Sequence, residues 1–393
     1  MAKAETQGST PKPNSVTIPA MISRRSLFKA AGVSAAVAAT SGIPKSLLAW
    51  AEPLREQVPG GPILLNSNEN AYGPFPSVLA MPNPFKDANR YPDFSVEQLT
   101  KRLAKMHNVS TEQIIVGCGS TEILKLAVSA FTGPGKKLVM ATPTFEAVGF
   151  YANATKAEVV KVPLAASYAH QLVAMGTEAQ KEPGLVYICN PNNPTGSVTP
   201  RRSLENFIRE LPKNCYVLMD EAYHDFVTVS ADYASFIDSA VHDDRVIVAR
   251  TFSKIFGMAG LRLGYAVASP ATAKLLRVYQ QQDSINIFAL RCASTSLDDS
   301  DERQIATQRN NNDREVFMHE ASVRRITAIP SWTNFVMINT QRPVQTVIDH
   351  FMQNNIRIGR PFPPMDMYAR ISLGKPDQMK AFWAAWDKLP KLT

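Results

Sequence analysis

The apolar positions of this chain follow two alternating patterns. Short unbroken runs at Ile114–Val116, Lys137–Ala141, Val159–Val162, Leu185–Cys189, Tyr216–Met219, Val246–Ala249 and Gly264–Val267 predict buried strands. Between them lie segments with helical spacing: Ser95–Met106 places Val96, Leu99 and Leu103 on one face, and Ala271–Gln282 predicts a further helix. Strands alternating with helices predict an α/β fold, a mostly parallel seven-stranded sheet with helices on both faces. From about 286 the pattern changes to a long polar helical region (298–322), two short strands (Phe335–Ile338 and Arg370–Leu373) and a terminal helix. That stretch predicts a smaller α+β domain. Pro and Gly cluster at 53–62 and 73–84, as in an extended arm. The expected organisation is a leader (1–51), an arm with part of the small domain (52–90), a large domain (91–285) and a small domain (286–393).

Composition changes this picture little; the distribution of charge changes it more. The chain has 393 residues, 45% hydrophobic and 19% charged, which is ordinary for a globular protein. Its formal net charge is +8, but residues 1–51 hold six basic side chains and a single acid, Glu5. The other 342 residues carry 36 basic and 33 acidic groups, a near balance that argues against a nucleic-acid partner. Ser23-Arg24-Arg25-Ser26-Leu27-Phe28-Lys29, the small apolar stretch Ala30–Gly42 and the Ala49-Trp50-Ala51 cleavage signature follow one another as in a secretory signal. The segment resembles a twin-arginine export signal and implies a periplasmic or secreted protein, with a cytoplasmic one as the alternative if the signal is unused. It is too short and Ala-rich for a membrane span, which takes ~20 apolar residues, so stable insertion is not expected. The cysteines (Cys118, Cys189, Cys215, Cys292) form no CxxC and the histidines no HExxH, so no metal site is expected.

In open α/β sheets ligands bind at the carboxyl ends of the strands. There the chain places Gly117-Cys118-Gly119-Ser120-Thr121-Glu122, Asn190-Pro191-Asn192-Asn193-Pro194-Thr195-Gly196, Asp220-Glu221-Ala222-Tyr223, and Thr251-Phe252-Ser253-Lys254 followed by Gly260-Leu261-Arg262-Leu263-Gly264. A desolvated lysine can form a Schiff base with an aldehyde. A carboxylate one strand away can hold a pyridine nitrogen protonated. Asn and Tyr can bond a phenolic oxygen, and a Gly-rich turn into a helix, with Ser and Arg, can cradle a phosphate. These are the protein's requirements for pyridoxal 5'-phosphate. Gly117-x-Gly119-x-x-Glu122 lacks the third glycine of a dinucleotide loop, so NAD is not expected.

In order and spacing, these motifs resemble those of the PLP-dependent aminotransferases of fold type I. Asn68-Glu69-Asn70-Ala71-Tyr72-Gly73-Pro74, Arg90-Tyr91-Pro92-Asp93 and Ala369-Arg370-Ile371-Ser372-Leu373-Gly374 are similar to the histidinol-phosphate aminotransferase branch. The resemblance spans roughly residues 60–390 and departs from the branch at Ala71, where Pro is usual. It implies that Lys254 holds the cofactor and shuttles the proton, that Asp220 pairs with the ring nitrogen, and that Tyr223 and Asn193 bond the ring oxygen. It implies Phe145 against the ring, with Ser120, Thr121, Ser253 and Arg262 around the phosphate. It further implies Arg370, with Arg360 as a second candidate, for the anionic group of the substrate. Tyr72 would reach the partner's cofactor in a homodimer with shared sites. The reaction implied is amino transfer from an amino acid, or histidinol phosphate, to a 2-oxo acid; a lyase, decarboxylase or racemase using the same Lys254 and Asp220 is the alternative. Histidine biosynthesis is cytoplasmic, so an exported enzyme of this shape is expected to serve another substrate. The apolar Pro361-Phe362-Pro363-Pro364-Met365 stretch points to a bulky or aromatic amino acid. Glu69 and His224 flank the motifs without an assignable role.

Overall fold

The computed structural model describes residues 60–390 apart from Pro84 and Val229. The arginine pair, the cleavage signature and the start of the arm lie outside the described residues. The strands are β1 (Ile63–Leu65), β2 (Ile114–Gly117), β3 (Leu138–Thr142), β4 (Val159–Pro163), β5 (Leu185–Cys189), β6 (Tyr216–Asp220), β7 (Val246–Thr251), β8 (Gly264–Val267), β9 (Phe335–Asn339), β10 (Ile356–Ile358) and β11 (Tyr368–Ser372).

Seven of them form one sheet in the order β2-β8-β7-β6-β5-β3-β4. All pairs are parallel except those of β8, which runs against both β2 and β7. The all-apolar runs are strands because both faces of the sheet are covered. Val186 and Ile188 of β5 enter the core on one face with Leu99, Leu103 and Met219. Leu185 and Tyr187 enter the other with Ile123, Leu124 and Val128 of the helix Gly119–Phe131.

Register sets where the chemistry falls. Asp220 lies opposite Cys189 of β5 and Ala249 of β7, so the segments after β5, β6 and β7 emerge at one end. Because β8 runs backwards, Gly264 pairs with both Thr251 and Gly117. Arg262, just before β8, is thereby returned to the same end, beside the turn after β2.

A third core gathers Phe317, Val336, Ile338, Phe351, Ile371, Phe382 and Trp383 around the antiparallel pair β9–β11. β1 pairs in parallel with β10 and contributes Leu65 to this core. Neither three-residue strand was expected, since three residues carry too little pattern. Two helices occur here, Ile287–Asp298 and then Ser300–Val323, with Asp299 accepting from the Glu302 N–H between them; the second is the expected polar helix and the one before it was not expected. The first of them buries Ala289, Leu290, Cys292 and Ala293 against the large sheet's core.

The helix expected to reach Gln282 stops at Arg277. Arg277 instead donates to the Ile114 carbonyl (2.9 Å) and Gln280 to the Val116 carbonyl (2.7 Å), capping the outer edge of β2. At the opposite edge β4 exposes Lys161 and ends on Pro163. Leu79, Phe85, Tyr91 and Phe94 are exposed together in the segment before and into the helix Asp93–His107. Among the described residues no helix is long and apolar enough to cross a membrane.

Candidate active site

Lys254 leaves the carboxyl end of β7, and its amine donates to the Asn68 carbonyl (3.1 Å) and the Ser67 carbonyl (3.4 Å). β1 delivers both carbonyls, so the small sheet closes over the end of the large one. Desolvation, with help from the Arg370 and Arg262 charges, brings the Lys254 pKa down to about 8, against the opposing pull of Glu69 and Asp220. The amine stands 5.7 Å from the centre of the Tyr223 ring.

Asp220 ends β6 and is buried. It accepts from the Tyr187 hydroxyl (2.7 Å) and the Ala222 N–H (3.1 Å). Burial pushes its carboxyl upward, while these two donors and the Lys254 charge pull the other way. The Tyr223 hydroxyl accepts from Asn68 Nδ2 at 3.0 Å, and its pKa is raised chiefly by burial. Behind this pair Glu221 and Arg250 form a buried ion pair at 2.7 Å. Glu221 also accepts from the Ser235 hydroxyl (2.9 Å) and the Phe236 N–H (2.7 Å), which fixes the turn that presents Asp220. His224 bonds the Tyr233 hydroxyl at 3.0 Å.

The helix Gly119–Phe131 starts at this end, so its first N–H groups face the site with Ser120 and Thr121. Arg262 adopts left-handed backbone angles (φ 58°), unusual for a side chain of its size and a conformation held by its surroundings. From there its guanidinium reaches the hydroxyls of Ser253 and Thr121, both at 3.4 Å, and the Ala259 carbonyl at 2.9 Å. Gly119 has φ +75°, and a Cβ there would collide with that guanidinium. The glycine therefore keeps open a cradle of two hydroxyls, helix N–H groups and one cation.

At the other side, Arg370 of β11 is buried and donates to Asn193 Oδ1 (2.6 Å) and the Asn66 carbonyl (2.8 Å). Its Nε has no partner among the described residues. Its guanidinium lies over Phe335 and Phe362, 5.4 and 4.6 Å from the ring centres. Arg360 stacks on the same Phe362 ring at 4.3 Å and pairs with Glu146 at 2.8 Å.

The structure thus gathers Lys254, Asp220, Tyr223, Asn193, Ser120, Thr121, Ser253, Arg262 and Arg370 at one sheet end. Phe145, two residues before the helix Ala147–Ala154, is half-buried against the core. Tyr72 lies apart from Lys254, donating to Asp313 at 3.0 Å with Arg309 over its ring. Three residues were not singled out from the sequence. Asn68 (φ 56°) bonds Tyr223 and Ser372, and in the sequence it is only one member of the Asn68–Pro74 motif. Tyr187 reads as core, its one signal being a hydroxyl amid the aliphatic Leu-Val-Tyr-Ile-Cys run. Glu146 meets an arginine more than two hundred positions away, a pairing no local pattern encodes.

Residues 61–385 match the family "Aminotransferase class I and II". The chain belongs to this family. It is an aminotransferase, and its reaction class is the exchange of an amino group between an amino acid and a 2-oxo acid. A histidinol-phosphate aminotransferase of Symbiobacterium thermophilum is 33% identical over 326 residues, covering 81% of this chain and 88% of that protein. One from Moorella thermoacetica is 32% identical over 323 residues, covering 81% and 83%. The crystal structure of histidinol-phosphate aminotransferase from Sinorhizobium meliloti in complex with pyridoxal-5'-phosphate superposes with a TM-score of 0.77 at 27% identity, covering 83% of this chain and 89% of that one. Pyridoxal phosphate is the cofactor of this aminotransferase chemistry, and the donor set here fits it: an amine with a lowered pKa, a buried acid, a tyrosine hydroxyl and an asparagine amide, and an arginine with two hydroxyls at a helix start beside Gly119.

Proposed function

We propose that the cleft around Lys254 is where this enzyme carries pyridoxal 5'-phosphate and moves an amino group from an amino acid to a 2-oxo acid. One observation supports this above the rest. A lysine amine with its pKa lowered to about 8 stands within electrostatic reach of a buried carboxylate, Asp220, and of Arg370, whose buried Nε has no partner among the described residues. At the ordinary lysine pKa of ~10.4 almost no neutral amine exists near neutrality, and only the neutral amine is a nucleophile or a base. The bound cofactor supplies an electron-withdrawing ring that acidifies the α-proton of the amino acid joined to it.

The chain's own groups do the rest. Lys254 Nζ holds the cofactor at rest, takes the substrate's α-proton as a neutral amine and returns it from the ammonium form. Asp220 holds the ring N–H, itself kept in place by Tyr187 and the Ala222 N–H. Tyr223 and Asn193 meet the ring oxygen, and Phe145 covers the ring. Ser120, Thr121, Ser253 and Arg262 hold the phosphate. Arg370 receives the substrate carboxylate on its free N–H. Phe362, Met365, Tyr168 and Tyr368 cluster next to it and favour a bulky or aromatic side chain.

Tyr72 serves the partner's site in a homodimer. The exposed apolar group Leu79, Phe85, Tyr91 and Phe94 on the neighbouring segment supports this, and sedimentation at the 43.2 kDa monomer mass would refute it. The leader exports the folded enzyme by the twin-arginine route; finding the full-length chain only in the cytoplasm would refute that.

Lys254→Ala is the deciding experiment. The variant should bind no cofactor covalently, lose its visible absorbance and lose turnover; a variant that still turns over ends this reading. Ammonia or pyruvate released without any 2-oxo acid would favour a lyase on the same residues.

A further inference from the structure

The substrate end of the cleft holds two guanidiniums that are not equivalent. Arg360 and Arg370 flank a single ring, Phe362, at 4.3 and 4.6 Å. Two cations so close repel, and the Arg360 charge helps burial bring the Arg370 pKa down to about 10. Arg360 Nη2 is held by Glu146 Oε2 at 2.8 Å, and its Nη1 donates to the Pro361 carbonyl at 2.7 Å. Both members of this ion pair are only about a quarter exposed, 27% and 28%, so solvent screens it only in part. Arg370 faces only neutral partners, the Asn193 amide oxygen and the Asn66 carbonyl, and keeps one buried N–H unused.

The two arginines and Glu146 therefore sum to a single positive charge. An α-carboxylate carries one negative charge and is matched by Arg370 alone. A phosphate monoester carries −1.5 to −2 at neutral pH and needs a second cation. Here that second cation is already occupied, and a phosphate brought to it would face the Glu146 carboxylate.

We propose that Glu146 is a specificity-determining residue: by holding Arg360 on Phe362 it sets the cleft to accept the α-carboxylate of an uncharged amino acid and to reject a phosphomonoester amine. The proposal rests on reading this cleft as the aminotransferase site. Glu146 touches neither cofactor nor substrate carboxylate; it acts by positioning Arg360. Glu146→Gln keeps the size of the side chain and a hydrogen bond to Arg360 but removes the charge.

The test follows the bound cofactor's conversion to the pyridoxamine form by histidinol phosphate and by a panel of L-amino acids including phenylalanine and leucine. In the unmodified holoenzyme the best L-amino acid should exceed histidinol phosphate in kcat/KM. In Glu146→Gln the ratio of histidinol phosphate to that amino acid should rise by about 10–100-fold, the worth of one charge-assisted contact, mainly through KM for the phosphate ester. In Glu146→Gln combined with Arg360→Gln the ratio should fall back, because the released cation is gone. A ratio unmoved in Glu146→Gln overturns the proposal, as does an unmodified enzyme that already prefers histidinol phosphate. In those cases the amino-transfer reading stands, since conversion occurs. If no donor converts the cofactor, both fall.

Discussion

The two arginine-bearing ends of the cleft are built on opposite principles. At the cofactor end, Arg262 meets only uncharged partners, the hydroxyls of Ser253 and Thr121 and the Ala259 carbonyl, and is joined by the start of a helix. Among the described residues no acid pairs with it, as would suit the resident phosphate proposed there. At the other end one of two arginines is paired with Glu146, and the other is buried with an Nε that has no partner among the described residues. That suits a ligand which must arrive, bind by one carboxylate and leave. A full cationic cradle holds a resident group; a trimmed one discriminates between visitors.

The contrast is broken most directly at Arg370. Arg370→Gln should lower kcat/KM for every amino acid by about 10²–10³-fold, the range expected when one member of a buried charged pair is removed, a far larger loss than any in cofactor affinity. Steady-state kinetics beside a cofactor titration checks it; equal losses in both would mean the ends are not separate. Arg262→Gln should do the reverse, weakening cofactor binding by about 10–100-fold and leaving the ranking of amino acids intact. Fluorescence titration of the cofactor-free protein measures that.

A smaller effect sharpens the picture through Lys254, which feels both arginines. Its pKa is lowered, so protonation blocks it below about 8 and releases it above. The rate of cofactor uptake by cofactor-free enzyme should therefore climb with pH, levelling off above about 8, as followed by visible absorbance. In Arg370→Gln one repelling cation is gone, the amine holds its proton longer, and the midpoint should move upward. A profile unaltered in that variant would show that burial alone sets the lysine.

How much of this was legible beforehand depended on the range of the interaction. Apart from the edge strand β4, the strands of the large sheet are buried on both faces, so their positions read directly from apolar runs, Leu185–Cys189 without any shift at either end. Asp220, Asn193, Lys254 and Arg262 followed because they trail those runs. The reversal of β8 leaves no local trace, yet it is what returns Arg262 to the cleft. Asn68 and Ser372 meet across 304 positions, and Arg360 and Glu146 across 214. Such pairs are products of the fold, and each residue alone is indistinguishable from a turn or surface group. Tyr187 was hidden differently: its ring satisfies the core, and only its hydroxyl serves Asp220.

The margins of the large sheet have their own consequence. Side chains already occupy two carbonyls along β2, and β4 offers a lysine and finishes on a residue with no amide hydrogen. Both borders are therefore poor templates for an incoming strand. The molecule is thereby guarded against runaway fibril-like growth, and self-recognition is left to surfaces made of side chains, where a closed assembly of defined size can form.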